Sequence, residues 1–331
     1  MPRVGQNPAK WVTQVAVPSK VTVAVLCFIP FQSGYYRQSL EVLHLCLDSL
    51  ISNTDLPYDL LVFDNGSCQE VQDSLVARRE AGDIQFLVLS ERNLGKVGAW
   101  NLIFAAAPGE YIAYADSDVY FFPGWLSRHL KVFEAFPEVG TVSGTPRRRR
   151  MTFSENSIRR ARELPGVEVE VGKLISESWI RQHARSLDKL DELDEILARD
   201  DYLLSSNGVN AYITAQHYQF VVRKDVVQQF LPFPHSRPMG SDVAQFDLAI
   251  DGSNLLRLAV AERTVLHLGN RLDEELFEEL NLNSAVQTAA HYTRRKSPYR
   301  PGNGFLAWRP VRRVLLALYD RIFRLYFQAH A

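Results

Sequence analysis

The chain has 331 residues, of which 46% are hydrophobic and 23% are charged, and its formal net charge is −1. This globular composition has the length for one large domain with an appendage, and its near-neutral charge predicts no nucleic-acid partner. Three cysteines without C-x-x-C spacing predict neither a disulfide framework nor a structural zinc site, and they favour a cytoplasmic location.

Strands and helices are predicted to alternate through the first half of the chain. The unbroken apolar run Val21–Pro30 predicts a buried strand and is too short to span a bilayer. Similar runs predict further strands at Tyr58–Asp64, Ile84–Ser90, Tyr111–Tyr120 and Val139–Ser143. Helical patterns between them are typical of βαβ units, so we expect a mostly parallel sheet flanked by helices. Ligands bind such sheets beyond the carboxyl ends of the strands.

The regular pattern stops at Thr145–Arg162, where arginines occur without a hydrophobic period. We expect residues 146–206 to be an insertion with a solvated or mobile loop near the site, in which Arg147–Arg150 could touch a substrate phosphate. Strands are predicted again at His217–Arg223 and Arg263–His267, on either side of a helix that opens near Asp242.

The last 61 residues (271–331) are predicted to form a C-terminal helical region after a main domain at 1–270. Apolar residues at helical spacing fill one face of Val311–Phe327, and arginines lie largely on the other. A basic amphipathic helix of this kind can lie on an anionic membrane surface. Docking on the main domain, or on a second copy in a homo-oligomer, stays open as the alternative.

Two carboxylates, Asp116 and Asp118, end the apolar run of the Tyr111–Tyr120 stretch. Residues i and i+2 of a strand project to one face, so both carboxylates are predicted to point the same way. Carboxylate oxygens suit a hard divalent cation such as Mg²⁺ or Mn²⁺. A plain acidic turn is the alternative.

Five landmarks follow one another along the chain: Ile29-Pro30-Phe31, Asp64–Ser67, Asn93–Asn101, Asp116–Asp118, and Ser241-Asp242 followed by His267. Their order resembles the nucleotide-sugar glycosyltransferases of the GT-A fold, most closely glycosyltransferase family 2, from about Val21 to Asn270. The resemblance implies a Rossmann-like α/β fold, a divalent cation (Mn²⁺ or Mg²⁺) and a UDP- or GDP-sugar donor. It also implies a carbohydrate, a lipid-linked molecule or another small molecule as the acceptor.

The same resemblance assigns roles to residues. Asp118 would be the direct metal ligand, His267 the third protein ligand, and Asp116 a neighbour of the ribose or the metal. Contacts to the nucleotide are expected from Pro30, Phe31, Asp64, Asn65, Asn93, Lys96, Asn101, Asp116 and Ser117. Closing an Asx turn is the alternative role of Asp64, and a packing contact is the alternative for the glycine-containing Asn93–Asn101 segment.

Inverting sugar transfer needs a base for the proton of the acceptor hydroxyl, and Asp242 is the candidate. Asp247 is the second choice, about one helical turn deeper. Stabilisation of the helix start is the alternative role of Asp242. A retaining transferase, a sugar-nucleotidyltransferase and a non-catalytic nucleotide-sugar-binding module are the other functions considered, and the absence of a Gly-rich, Arg-containing loop after Pro30 counts against the second.

Overall fold

The computed structural model describes residues 7, 9, 12–148, 154–187, 189–234 and 242–272, together with 314, 318, 321, 322 and 325. The chain divides into two compact units, Met1–Leu272 and Asp273–Ala331. In the second unit the five described residues are helical and exposed. The rest of the predicted Val311–Phe327 helix lies outside the described residues. No helix in the described part of the chain has both the length and the apolar character needed to cross a membrane.

Apolar and β-branched runs form the strands of the first unit, and β1 is buried along its whole length, as expected where both faces of a sheet are covered. The strands are β1 Val21–Cys27, β2 Tyr58–Asp64, β3 Phe86–Leu89, β4 Tyr111–Asp116, β5 Val119–Phe121, β6 Val139–Ser143, β7 Glu168–Gly172, β8 Asp201–Ser206, β9 Val209–Ile213, β10 Gln219–Arg223, β11 Leu256–Val260 and β12 Val265–His267. The helices are α1 Ser39–Asn53, α2 Gln69–Glu80, α3 Gly95–Ala106, α4 Trp125–Ala135, α5 Glu155–Glu163, α6 Glu177–Ser186, α7 Leu193–Leu197, α8 Lys224–Val227 and α9 Asp242–Gly252.

Ten of these strands form one sheet in the order β3-β2-β1-β4-β10-β6-β11-β9-β8-β7. Neighbours β3, β2, β1 and β4 are parallel, β10 runs against both β4 and β6, and β11 is parallel to β6. Since β9 and β7 also run against their neighbours, only β10, β9 and β7 oppose the other seven strands. The predicted mostly parallel sheet is therefore confirmed.

Helices cover both faces of the sheet. Successive side chains of β1 point to opposite faces, so they pack against different helices. Val23 and Val25 belong to a core that includes apolar residues of α1 and α2. Ala24 and Leu26 belong to the opposite core, which includes residues of α3 and α9. This doubly covered sheet is the α/β class that the sequence predicts.

The prediction of a solvated or mobile loop in the 146–206 region is wrong for the described residues. Helices α5, α6 and α7 form there, and β7 and β8 extend the sheet. Arg148 is 4% exposed, and two of its nitrogens bind the 1% exposed carboxylate of Asp201 at 2.8 and 2.6 Å. Asp201, 53 residues further along the chain, thus neutralises the charge of Arg148, which the run of arginines alone predicted to be exposed to solvent. Arg149 and Arg150 lie outside the described residues.

Strand β11, and the pairing of β12 with β5, were not predicted from the sequence pattern. Strand β11 pairs with β6 and β9 in the main sheet, although Arg257 interrupts its apolar run. The short strands β5 and β12 form a separate antiparallel pair that joins His267 to Val119. This second sheet matters for the site because it brings the end of β12 beside the turn after β4.

Candidate active site

Polar loops from four strands meet at one edge of the main sheet. Strands β1, β2 and β4 are parallel and in register, so their carboxyl ends lie together. Strand β10 is antiparallel to β4, so its beginning lies at the same edge. The backbone N–H of Asp116 donates to the carbonyl of Tyr218 at 2.7 Å and extends the β4–β10 pairing to this edge.

Asp116 is the last residue of β4, and its carboxylate is held by two neighbours. Lys96 Nζ lies 2.6 Å from Oδ2, and the hydroxyl of Tyr114 donates to Oδ1 at 2.5 Å. Burial, and then the charge of Asp116, raise the pKa of Tyr114, so its hydroxyl keeps the proton that it donates. The aspartate end of β4 is therefore a fixed, charge-balanced group.

Asp118, in the turn just before β5, lies beside His267 at the end of β12. Strand β4 ends at Asp116, and residues 117–118 form a turn, so the predicted i, i+2 strand geometry does not extend to Asp118. The Nε2 atom of His267 lies 3.3 Å from Asp118 Oδ2. The other oxygen, Oδ1, is buried and has no hydrogen-bond partner.

An unpartnered buried carboxylate oxygen is costly in a protein, and a cation would satisfy it. Asp118 and His267 present carboxylate oxygen and imidazole nitrogen, a donor pair that Mn²⁺ accepts. The two side chains therefore fit the predicted metal. Among the described residues no group of three or more His, Cys, Asp or Glu side chains is placed to hold an ion, because Asp116 is turned to Lys96.

Burial raises the pKa of Asp118; His267 and Lys96 lower it, and the charge of Asp116 adds to the increase. The carboxylate of Asp118 therefore interacts electrostatically with the carboxylate of Asp116, the Lys96 ammonium and the His267 imidazole. A divalent cation would relieve the repulsion between the two aspartates.

The chain just beyond His267 closes one side of the site. Leu268 N–H donates to the carbonyl of Asp118 at 2.8 Å, and Asn270 Nδ2 donates to the carbonyl of Tyr35 at 2.8 Å. Burial, and then the charge of Asp118, raise the pKa of Tyr35. The ring of Tyr35 packs edge-on against Tyr36, which also meets Phe31 at 5.4 Å between centroids. The predicted Pro30-Phe31 segment thus belongs to an aromatic wall beside the site.

The carboxylate of Asp64 is bound by its own loop. It has no exposed surface and accepts hydrogen bonds from the backbone N–H of Ser67 and from Gln72 Nε2, each at 3.1 Å. Ser67 in turn accepts the N–H of Ile29 at 2.9 Å and so ties this loop to the exit of β1. The local bond reaches three residues along the chain, where an Asx turn would reach two. A contact from Asp64 to a nucleoside stays a prediction.

Asn65 and Asn93 join the loops after β2 and β3. Asn65 Nδ2 donates to Asn93 Oδ1 at 3.0 Å, and Asn65 Oδ1 accepts the N–H of Leu94 at 2.9 Å. A Cβ on Gly66, whose φ is +89°, would lie 3.1 Å from the backbone of residues 92 and 93. The small residue is therefore required where the two loops touch. Both asparagines lie at the predicted edge, and both hold the start of α3 in place.

Asn101 lies about one and a half turns inside α3. Its side-chain amide pairs with both backbone groups of Phe233, at 2.9 and 2.8 Å, and is thus directed to the 231–234 loop. A contact between Asn101 and the nucleotide stays a prediction. Lys96, in the first turn of α3, lies 2.6 Å from Asp116 Oδ2.

The two candidate bases have different surroundings. Asp242 is the first residue of α9, and its side chain lies outside the described part of the structure. Asp247 is 1% exposed; Oδ1 binds Arg257 Nη2 and Oδ2 binds Nε2 of His217. Asp247 is thus buried, deeper along α9 than Asp242, and both of its carboxylate oxygens are bound by other side chains.

Two residues of the site were not predicted from the sequence. Tyr114 binds Asp116, and its position two residues before that carboxylate in the same strand could have identified it. Tyr35 could not be identified this way, because it is tied to the site by Asn270, 235 positions away in the sequence.

Comparisons with known proteins give a family match and two partial relatives. Residues 35–193 match the family model described as glycosyl transferase family 2. An uncharacterized glycosyltransferase from Nostoc sp. is 29% identical over 96 residues, which are 29% of this chain and 30% of that protein. One from Rickettsia bellii is 28% identical over 88 residues, which are 27% of this chain and 12% of that protein. The chain thus matches under a third of the length of these relatives.

Solved structures with a similar arrangement include residues 1–349 of TarS from S. aureus, with 14% identity and a TM-score of 0.45 over 75% of this chain and 59% of that one. The mannosyltransferase PcManGT from Pyrobaculum calidifontis, solved with GDP-Man and Mn²⁺, has 16% identity and a TM-score of 0.44 over 76% of this chain and 59% of that one.

Proposed function

We propose, from the match of residues 35–193 to the family model described as glycosyl transferase family 2, that the protein transfers a sugar from a nucleotide-diphosphate sugar to a hydroxyl acceptor. The observation that supports this most is the Asp118–His267 pair, with its unpartnered carboxylate oxygen, at the edge where four strands present polar loops. PcManGT was solved with GDP-Man and Mn²⁺, and we therefore include a GDP-sugar and Mn²⁺ among the donors and metals to be tested.

Asp118 and His267 are the residues that would hold the cation. When bound, a divalent cation neutralises charge on the diphosphate and makes it a better leaving group. Lys96 adds a positive charge 2.6 Å from Asp116 and would lie beside the same phosphates. The Pro30-Phe31 segment, with Tyr35 and Tyr36, offers aromatic surface for the base.

Asp242 would accept the proton of the acceptor hydroxyl and so give inversion at the anomeric carbon. Asp242 is the first residue of α9. A retaining transferase needs no such base, and a non-catalytic binding module would keep the donor site alone.

The test is transfer from UDP- and GDP-sugars with Mn²⁺ to sugar and lipid-linked acceptors, for the wild type and for Asp242→Asn. We expect turnover with one donor class, and a loss of about 100-fold or more in Asp242→Asn with nucleotide affinity nearly unchanged. NMR of the product would show inversion. Nucleotide binding without any turnover would favour the binding module, and retention would remove the base role of Asp242.

A further inference from the structure

The imidazole of His267 has a polar neighbour at each of its two nitrogens. Its Nε2 atom lies 3.3 Å from Asp118 Oδ2, and its Nδ1 atom lies 3.1 Å from the hydroxyl oxygen of Ser186. Ser186 is the last residue of α6 and precedes His267 by 81 positions in the chain. The side chain of His267 is only 11% exposed, so these two contacts decide what each nitrogen can do.

The hydroxyl of Ser186 faces His267 as a hydrogen-bond acceptor. A serine hydroxyl has one hydrogen, and Ser186 donates it to the backbone carbonyl of His183 at 2.9 Å. In the bond to His267 the hydrogen must therefore come from Nδ1 of the imidazole. This holds for the neutral and for the charged ring, since either can carry a hydrogen on Nδ1.

The end of α6 packs closely against the chain around His267. The rings of Tyr218 and His183 meet the ring of His267 edge-on, at 5.1 and 5.9 Å between centroids. Gly269 has a φ of +72°, and a Cβ at this position would lie 3.3 Å from the backbone carbonyl oxygen of Ser186. The imidazole is thus enclosed by packed neighbours, which hold its Nδ1 atom against the Ser186 hydroxyl.

This contact has a consequence for metal binding. A cation binds histidine through a ring nitrogen that carries no proton, and a ligating histidine almost always donates its other N–H to a partner. We propose that Ser186 is this partner: it accepts the Nδ1–H of His267 and so directs the lone pair of Nε2 to the cation held with Asp118. Ser186 is then a positioning residue that acts on the metal only through His267. This inference rests on the proposed function.

Calorimetry of UDP and GDP with and without Mn²⁺ tests the role of Ser186 on the wild type, Ser186→Ala and Ser186→Thr. In Ser186→Ala the gain in nucleotide affinity that Mn²⁺ provides should fall about tenfold, while affinity without metal should change less than about twofold. Ser186→Thr keeps a hydroxyl and should recover most of the loss. Ser178→Ala is the matched control on the same helix and should change neither affinity, since Ser178 is exposed and bonds Ser176 Oγ at 2.7 Å.

A second variant separates positioning from a general structural role. His267→Ala should lose at least as much Mn²⁺-dependent affinity as Ser186→Ala, and adding Ser186→Ala to it should cause no further loss, because the two residues act as one unit. Additive losses in the double variant would overturn the inference, as would equal losses in Ser186→Ala and Ser186→Thr or unchanged Mn²⁺-dependent affinity in Ser186→Ala. A wild type in which Mn²⁺ does not raise nucleotide affinity would overturn the proposed function, and this inference with it.

Discussion

At the scale of single residues, this molecule buries charged side chains by pairing them. Arg148 is an example: besides Asp201 it donates to the backbone carbonyls of Leu197 and Ile175, at 3.1 and 3.4 Å. Removal of one member of a buried pair leaves the other charge without compensation, which costs far more than the loss of an exposed ion pair.

Arg148→Met should therefore lower the free energy of unfolding by about 3–5 kcal/mol, measured with urea. Arg181→Met is the control, because Arg181 forms an exposed i,i+4 pair with Glu177, and its loss should cost below about 0.5 kcal/mol. The double variant Arg148→Met/Asp201→Leu should regain part of the stability. Equal effects of Arg148→Met and Arg181→Met would contradict the role of the pair.

The resemblance of the D-S-D segment and of His267 to the family's motifs predicted that Asp118 and His267 lie close together. In the structure His267 Nε2 is 3.3 Å from Asp118 Oδ2. The partners of each carboxylate were not predictable in the same way. Asp116 binds Lys96 and Tyr114, and Asp64 binds its own loop, because hydrogen bonds depend on side-chain direction and not only on strand position. The bonds of Asn101 to Phe233 were not predictable for the same reason.

At the scale of elements, α4 is fastened to the sheet through a buried histidine. His129 has no exposed surface; Nδ1 lies 2.7 Å from the carbonyl of Trp125, and Nε2 lies 3.2 Å from Gln219 Oε1 on β10. Burial lowers the pKa of His129 to about 4, against its usual 6.5, so the ring is neutral at neutral pH. The unfolded chain takes up this proton more readily than the folded one.

The contribution of His129 to stability is therefore complete above pH 6.5 and is lost as the pH falls toward 4. We expect this residue to account for about 2 kcal/mol of lost unfolding free energy between pH 7 and pH 5. Urea unfolding at the two pH values, compared with His129→Gln, measures it. The variant should lose less stability than the wild type on acidification, and an equal loss in both would contradict the prediction.

Unbroken apolar runs identified the central strands, because a strand that is buried on both faces of the sheet needs apolar side chains on both faces. Strand β11 was missed because Arg257 appears as a break until its buried partner Asp247 is seen. Strands β7 and β8 alternate or are partly exposed, and β5 has three residues, so their local patterns are weak. Strand β12 lies within the predicted Arg263–His267 strand, but its partner β5 was not predicted. Their pairing is decided by distant contacts.

At the scale of the whole molecule, the site is assembled from segments far apart in the chain. The D-S-D turn and His267 are separated by 149 residues, from Asp118 to His267, and meet through the pairing of β5 with β12. The ordered landmarks predicted the fold class and the resemblance to glycosyltransferase family 2, and residues 35–193 match the model of that family. The acceptor, which depends on surfaces beyond these landmarks, was not predictable from them.

The predicted domain boundary at 270 and the membrane-facing helix at 311–327 stay predictions. The second unit has an exposed apolar stripe, whose residues are 53–67% accessible: Val314, Leu318, Ile322 and Leu325.

The central claim is that Asp118 and His267 bind a divalent cation that in turn holds a nucleotide-diphosphate sugar. Calorimetry of UDP and GDP with and without Mn²⁺ tests it on the wild type, on Asp118→Ala and on Asp48→Ala, a control whose carboxylate pairs with Arg78 on the surface. Mn²⁺ should raise nucleotide affinity in the wild type and in Asp48→Ala. In Asp118→Ala the Mn²⁺-dependent part should fall at least about tenfold, as even outer-shell partners of metal ligands contribute that much. Unchanged Mn²⁺-dependent binding in Asp118→Ala would contradict the claim.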